Sequence, residues 1–277
     1  SAPGRVMGAP MAHFAGKVIV VTGASQGIGR ALCLELAPQK PRLVLAARDA
    51  TALEAAASEC RARGAEALVV RTDVTDVEAC RHLVERAVET FGGLDALVNN
   101  AGIGLVARLD EVEDLGVYER LMRVNYLGSV YPTRFALPHL ERSRGQIVAV
   151  SSLAGLTGVP GRSGYAATKH AQIGFFDSLR VEMREKGVAV TVIAPYFVQS
   201  EIRHRALAGD GQPLPASPVQ ESKVMTAGEC ARQIVRAMER RQRMLVMTLK
   251  GRLGRWVKLA APALVDRLAE RSVRRGQ

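Results

Sequence analysis

The sequence predicts one α/β domain, a single doubly wound parallel sheet with helices on both faces. Three observations carry that expectation. Apolar runs of strand length alternate with helical patterns along most of the chain, an order that buries strands between layers of helix. Hydrophobic residues make up 48% of the 277 and aromatics only 4%, so the core is aliphatic, as in sheets covered on both faces. The first apolar run leads through a glycine-rich turn directly into a helical pattern. A chain of this length supports one large domain with a substantial core.

Strands are expected at 18–21, 43–46, 67–71, 96–98, 146–150, 188–193 and 243–247. Helices are expected at 28–37, 51–63, 77–90, a long 115–140 interrupted near Gly128, 163–185 and 227–240. Right-handed crossovers then set every strand C-terminus along one edge, where a ligand belongs. Residues 1–14 read as a flexible arm, rich in Ala, Gly and Pro and without the apolar stretch of a secretory signal. Residues 15–249 form the domain, and the Pro/Gly-interrupted stretch 199–224 reads as a functional loop over the site.

The glycine turn reads Thr22-Gly23-Ala24-Ser25-Gln26-Gly27-Ile28-Gly29. Strand, glycine turn and helix in that order is the setting in which such a pattern holds a dinucleotide. Gly23 permits the tight turn. Gly27 lets backbone N–H groups approach a pyrophosphate at the positive helix N-terminus, and Gly29 lets helix and strand pack closely. Ser25, Gln26 and Ile28 complete the cradle. The spacing is G-x-x-x-G-x-G rather than G-x-G-x-x-G, and a glycine-rich turn without a ligand is the bland alternative.

Downstream stand Ser152, Tyr165 and Lys169. A phenol loses its proton near pH 10, and an ammonium one helical turn away stabilises the phenolate. Tyr165 and Lys169 are i and i+4 and share a helix face. Ser152 follows a buried strand run and can donate a hydrogen bond to the same substrate oxygen. By itself a tyrosine and lysine at this spacing is usually a solvated helix face; the nucleotide turn upstream changes that.

These pieces, with Asp73-Val74, Asn99-Asn100-Ala101-Gly102, Asn125 and the stretch Pro195 to Ser200, stand in the order of the short-chain dehydrogenase/reductase family, which the chain resembles over roughly residues 15–250. Val124-Asn125-Tyr126-Leu127-Gly128 and residues 163–177 resemble the branch of 11β-hydroxysteroid dehydrogenases and lipid-ketone reductases. The resemblance implies a Rossmann-type fold, a nicotinamide cofactor and hydride transfer to or from a CH–OH carbon. It assigns catalysis to Asn125, Ser152, Tyr165 and Lys169, with Asn125 acting through an ordered water near Lys169 and Lys169 also holding the nicotinamide ribose. It places Asp73 and Val74 at the adenine, lets the small-residue turn Asn100-Ala101-Gly102 approach the cofactor, and brings Pro195, Val198 and Ser200 to the cofactor, with the Ser200 hydroxyl at its carboxamide.

The chain departs from the family pattern in two places. Tyr196 stands where glycine is usual, which puts the local loop geometry in question, and Ser200 stands for threonine. NAD-binding members carry an acid near the end of the second strand. Here Ala46 and Ala47 offer none, and Arg48 suits a 2′-phosphate, which points to NADP(H). Asp49 is either that acid shifted by one place or the cap of the next helix, and Arg48 read alone is also an ordinary surface arginine. For substrate, Ser152 and Tyr165 with Leu153, Ala154, Val159, Tyr196 and Phe197 make a mainly apolar mouth, suited to a steroid-like or long-chain ketone. A 3-oxoacyl thioester is the rival.

Charge is uneven. From Arg236 onward there are twelve Lys/Arg against three Asp/Glu, a balance of +9 in a chain of net +11. Residues 250–277 read as a basic amphipathic helical extension that Pro262 interrupts. It suits an anionic membrane surface, or packing on its own domain or on a dimer mate. One aromatic in that stretch and no recognised motif argue against nucleic acid. Cys33, Cys60, Cys80 and Cys230 form no C-x-x-C pair and no cluster with histidine, so a metal is not expected, and buried thiols in a reducing cytoplasm are. The expectation is an NADP(H)-dependent carbonyl reductase, a homo-dimer or tetramer. The alternative of another class is a nucleotide-binding regulatory or scaffold protein working through its tail.

Overall fold

Short aliphatic runs set the architecture. The computed structural model describes residues 13–196, 198, 206–214 and 224–274. In it β1 (Val18–Thr22), β2 (Arg42–Ala47), β3 (Glu66–Arg71), β4 (Ala96–Asn99), β5 (Gln146–Val150), β6 (Ala189–Ala194) and β7 (Met244–Val246) form one sheet in the order 3-2-1-4-5-6-7. Every pairing is parallel. Alternate side chains serve opposite faces, the period of a strand. Ile19 and Val21 join one apolar core, while Val18 and Val20 join the other.

The first core lies under α1 (Gly27–Leu36), α2 (Ala50–Ala62) and α7 (Ala227–Glu239). The second lies under α3 (Val77–Phe91), α5 (Gly128–Ser143) and α6 (Ser163–Glu182). Helix starts follow local chemistry. Asp49 Oδ1 accepts from Ala52 N–H at 3.0 Å and caps α2, and Asp76 Oδ1 accepts from Glu78 N–H at 2.9 Å and caps α3. Thr226 and Glu229 form a reciprocal capping box on α7. The chain order reverses between β1 and β4, which opens a crevice at their C-terminal ends.

The expected long helix is three pieces on one course. α4 (Gly116–Leu121) passes into a π-helical turn, Met122–Leu127, and then into α5. The widened turn precedes Gly128, and it carries Asn125; such turns concentrate at functional sites. Phe14, expected in the arm, is 2% exposed and packs into the first core, so the folded region begins no later than that residue. All four cysteines are free and buried, and burial pushes their thiols up, that of Cys60 to about 11.

The C-terminal extension is a pair of helices, α8 (Leu249–Ala260) and α9 (Pro262–Arg274), interrupted as expected at Pro262, which opens the second. Thr248 Oγ1 caps α8 by accepting from Gly251 N–H at 3.1 Å. Arg252 Nε donates to Val246 O at 2.8 Å, and Lys258 Nζ donates to Leu156 O at 3.1 Å. Part of the basic charge is therefore spent tying α8 to β7 and to the segment after β5. Among the described residues no helix is long and apolar enough to cross a membrane.

Candidate active site

At the crevice the glycine turn is pinned from across the sheet. Thr22 Oγ1 accepts from the backbone N–H groups of Asn100 at 3.0 Å and Ala101 at 3.1 Å. Asn100 Nδ2 donates to Thr22 O at 3.0 Å and Gly23 O at 3.3 Å. Gly23 sits at φ +66°, and a Cβ there would lie 2.9 Å from Asn100 Nδ2, so both backbone conformation and space require glycine. A Cβ on Gly29 would overlap Gly23 O and lie 2.5 Å from Asn100 Nδ2. Gln26 precedes α1 without capping it, and no acid occupies the first turn. Among the described residues no side chain caps the first N–H groups of α1, at the end that favours an anion. Bare backbone, a pinned turn and an uncapped helix start fit a dinucleotide pyrophosphate.

Beyond the turn, Arg48 follows β2 and is exposed on the cavity wall, with its backbone carbonyl accepting from Arg71 Nε at 3.2 Å. Asp49 is occupied as the α2 cap, the second of the two roles its sequence position allowed. Asp73 Oδ1 accepts from Thr75 N–H at 2.9 Å and Thr75 Oγ1 at 2.8 Å. Partial burial alone would raise the Asp73 carboxyl; the two Thr75 hydrogen bonds, with Arg48 and Arg71 nearby, outweigh it and hold the group below its usual range. Asp73 therefore shapes its own turn and also lines the cavity.

The proposed chemistry gathers on α6 and the end of β5. Lys169 is 3% exposed, and its Nζ lies 5.7 Å from the centre of the Tyr165 ring. Nζ donates to Val150 O at 3.0 Å and to Gln172 Oε1 at 3.2 Å. Burial, with no facing carboxylate, lowers the ammonium pKa to about 8. Ser152 is extended and caps a single 3₁₀ turn by accepting from Ala154 N–H at 3.2 Å, which leaves its O–H to donate. Asn125 is fully buried. Its Oδ1 accepts from Ile103 N–H at 2.8 Å, while Nδ2 donates to Ile103 O at 2.9 Å and Thr168 Oγ1 at 3.0 Å. The side chain thus staples the π-helical turn to the segment after β4 and to α6.

One cavity of about 1700 Å³ joins the nucleotide turn to Tyr165. Of the described residues expected at cofactor or substrate, all but Gly29 line it, and Asn125 stands behind it. Gly29 acts through helix packing instead. Phe197 and Ser200 lie outside the described residues, as does most of the 199–224 loop. Tyr196 is 41% exposed and lines the wall, so the residue in the usual glycine position does face the site.

Three groups were missed by sequence reasoning. Gln172 contacts Lys169, and its signal was its place at i+3 on the Lys169 face. Arg162 lines the cavity just before α6; burial lowers its pKa, opposed by the nearby Tyr165 and Tyr196 phenols. The extension is the third. Gly251, Leu253, Leu264 and Leu268 form part of the same wall, so α8 and α9 are not independent of the site.

A nucleotide cradle at a sheet switch point, joined by one cavity to a buried lysine and a tyrosine, defines a dehydrogenase of the Rossmann type. The short chain dehydrogenase family matches residues 17–210, and the chain belongs to that family. It is 40% identical over 258 residues to an 11-beta-hydroxysteroid dehydrogenase A of Sesamum indicum, covering 91% of this chain and 74% of that protein. It is 32% identical over 268 residues to a dehydrogenase/reductase SDR family protein 7-like of Dictyostelium discoideum, covering 95% and 83%. Among solved structures, a short-chain dehydrogenase/reductase of Burkholderia phymatum in complex with NAD superposes with a TM-score of 0.80 at 28% identity, covering 91% of this chain and 96% of that one. An alcohol dehydrogenase of Thermococcus sibiricus complexed with 5-hydroxy-NADP gives 0.69 at 28%, covering 79% and 88%. The protein is accordingly an oxidoreductase acting on CH–OH groups with a nicotinamide cofactor.

Proposed function

We propose that the protein is an NADP(H)-dependent reductase of a large apolar ketone, steroid-like or long-chain, or the dehydrogenase of the matching secondary alcohol. The observation that carries this reading is the continuity of the cavity. The polar nucleotide cradle passes Ser152 and Tyr165 and opens into a wall of Leu153, Val159, Leu253, Leu264 and Leu268. The bound cofactor supplies or takes up the hydride. The Ser152 hydroxyl polarises the ketone oxygen by donating to it. Tyr165 gives its proton to that oxygen as the C–H bond forms, leaving a phenolate that the Lys169 ammonium stabilises. In the reverse direction the phenolate takes the alcohol proton. The apolar wall excludes water, which strengthens both interactions. The steroid-dehydrogenase relatives support the substrate class.

A second substrate reading has its own observation. Arg120, Arg123, Arg162, Arg255 and Arg271 line the same cavity, and the carboxylates that line it, Asp49 and Asp73, stand on the nucleotide side. That rim suits an anionic substrate such as a 3-oxoacyl thioester on a phosphate-bearing carrier. NADPH and NADH oxidation with steroid ketones, long-chain ketones and 3-oxoacyl thioesters separates the two readings. If none of these stimulates oxidation of either cofactor, both are wrong.

Cofactor choice rests on Arg48 and on Asp49 being engaged as a cap. Arg48→Ala should weaken NADPH about tenfold, the worth of one charge-assisted hydrogen bond, and leave NADH nearly unchanged. Fluorescence titration with both cofactors measures it, and equal losses for the two would remove the 2′-phosphate role.

The extension is proposed to serve the substrate and a lipid surface together. Leu253, Trp256 and Leu259 are 65%, 61% and 77% exposed on α8, among basic residues that each add about 1 kcal/mol near an anionic bilayer. A chain ending at Thr248 keeps β7, Tyr165 and Lys169. It should show a KM at least roughly tenfold higher for long apolar ketones, in line with the loss of a few buried methylenes, and little change for small ketones. It should also lose salt-sensitive co-sedimentation with phosphatidylserine vesicles. Failure of the intact chain to sediment at low salt would end the membrane part, and an unchanged KM would end the substrate part.

A further inference from the structure

Lys169 is held by an arrangement that the assigned roles do not use. Its ammonium donates to Gln172 Oε1 at 3.2 Å, and the other end of that amide, Nε2, donates to Asn125 O at 3.3 Å. Gln172 is 1% exposed. Asn125 Nδ2 in turn donates to Thr168 Oγ1 at 3.0 Å, and that hydroxyl donates to Tyr165 O at 2.8 Å. The bonds close a ring from the backbone of Tyr165 through Thr168, Asn125 and Gln172 to Lys169. A buried amide with both ends bonded is rigid, because breaking either bond leaves an unpaired polar atom in the core.

We propose that Gln172 is a positioning residue for the reaction, an amide clamp that fixes the Lys169 ammonium beside Tyr165 by tying it to the Asn125 carbonyl. The inference rests on the reading of Tyr165 and Lys169 as the acid and its partner. Two features of the clamp matter chemically. Its acceptor is neutral, so the ammonium is held without an opposing charge, and its whole field acts on the phenol. An amide also accepts at oxygen and donates at nitrogen without passing a proton from one to the other. Gln172 therefore holds Lys169 but does not conduct. Nε2 takes up an acceptor site on the Asn125 carbonyl, and Ser129 Oγ donates to the same oxygen at 3.4 Å.

The surroundings make the clamp legible by pH. Tyr165 is the titratable group beside Lys169 on α6, with the Arg162 guanidinium beyond it near the same phenol. β5 offers Val150 O, Ser151 and Ser152, and the π-helical turn offers Asn125; none of these titrates in the working range. A hydrogen bond accepted from the ammonium favours the charged form, so losing it lowers the pKa, whereas a carboxylate in its place raises it.

The experiment is the pH profile of kcat and KM for ketone reduction in Gln172→Met, which keeps the volume, and Gln172→Glu, which supplies a charged acceptor. The high-pH limb should move down in Gln172→Met and up in Gln172→Glu, each by about half a pH unit or more. In Gln172→Met kcat should fall at constant ketone KM. A role in packing alone does not produce shifts of opposite sign. Unmoved limbs in both variants, or shifts of the same sign, overturn the clamp. If Gln172→Met does not fold, Gln172→Glu decides alone, and a limb that fails to move upward overturns it. Tyr165→Phe in the same series separates the two levels of argument: activity retained in that variant removes the catalytic reading, while its loss beside unmoved Gln172 profiles removes only the clamp.

Discussion

Tyr165→Phe should lower kcat for ketone reduction by roughly 10²–10⁴-fold, the usual worth of a positioned general acid, while cofactor affinity stays nearly unchanged. The substitution deletes one oxygen from a ring already packed on α6 and leaves Lys169 bonded to Val150 O and Gln172. The glycine turn is pinned by Thr22 and Asn100 on the other side of the crevice, so the nucleotide end does not depend on that oxygen. A second phenol stands close by, since Tyr196 lines the same cavity and lies near the same Arg162 guanidinium. Single-turnover rates should therefore be measured for Tyr165→Phe, Tyr196→Phe and the double variant. Tyr196→Phe is expected to change KM more than kcat, because Tyr196 lines the cavity wall and stands as a proposed substrate contact. Near-normal turnover in Tyr165→Phe that disappears only in the double variant would move the proton donor to Tyr196.

Gly29→Ala should all but abolish cofactor binding and lower stability by about 1–3 kcal/mol, the range for overpacking a tight interior. The added Cβ would meet the carbonyl of Gly23 and lie 2.5 Å from Asn100 Nδ2. Neither neighbour is the free end of a flexible side chain. The first is backbone, and the second is held by hydrogen bonds to Thr22 O and Gly23 O. Relief requires α1 to withdraw from the turn, which pulls its first N–H groups away from the pyrophosphate position. Thermal melts with and without cofactor test this directly. A variant that melts like the parent and gains the same increment on adding cofactor would show that the turn tolerates a side chain.

Most of the nucleotide half is legible in the sequence. A glycine at Gly23 or Gly29 is an answer to a local steric problem, and strand and helix periods identify the turn that poses it. Tyr165 and Lys169 were readable for a similar reason, since a spacing of four on a helix is itself a geometric statement. Asp49 was ambiguous between a ribose acid and a cap; the start of α2 resolved it, because a cap is defined by the N–H it meets. Gln172 shares the Lys169 face at i+3, but that spacing does not say what its amide bonds to. A polar residue on a helix face declares itself only when its partners, Asn125 from the π-helical turn and Lys169, arrive around it.

What the sequence by itself determined was the sheet of alternating strand and helix, the glycine turn and the Tyr165–Lys169 pair on one helix face, because each is written in short periods and fixed offsets that local sterics enforce. What only the tertiary structure decided was the use of the C-terminal segment. Its amphipathic pattern fits a membrane surface, a partner and its own domain equally well, since a period of 3.6 shows that one face is apolar but not what covers it. The packing of α8 and α9 resolved part of that choice by bringing Gly251, Leu253, Leu264 and Leu268, from the end of the chain, onto the cavity that begins at Gly23. Contacts between residues so far apart depend on the path of the whole chain, and no local pattern encodes them.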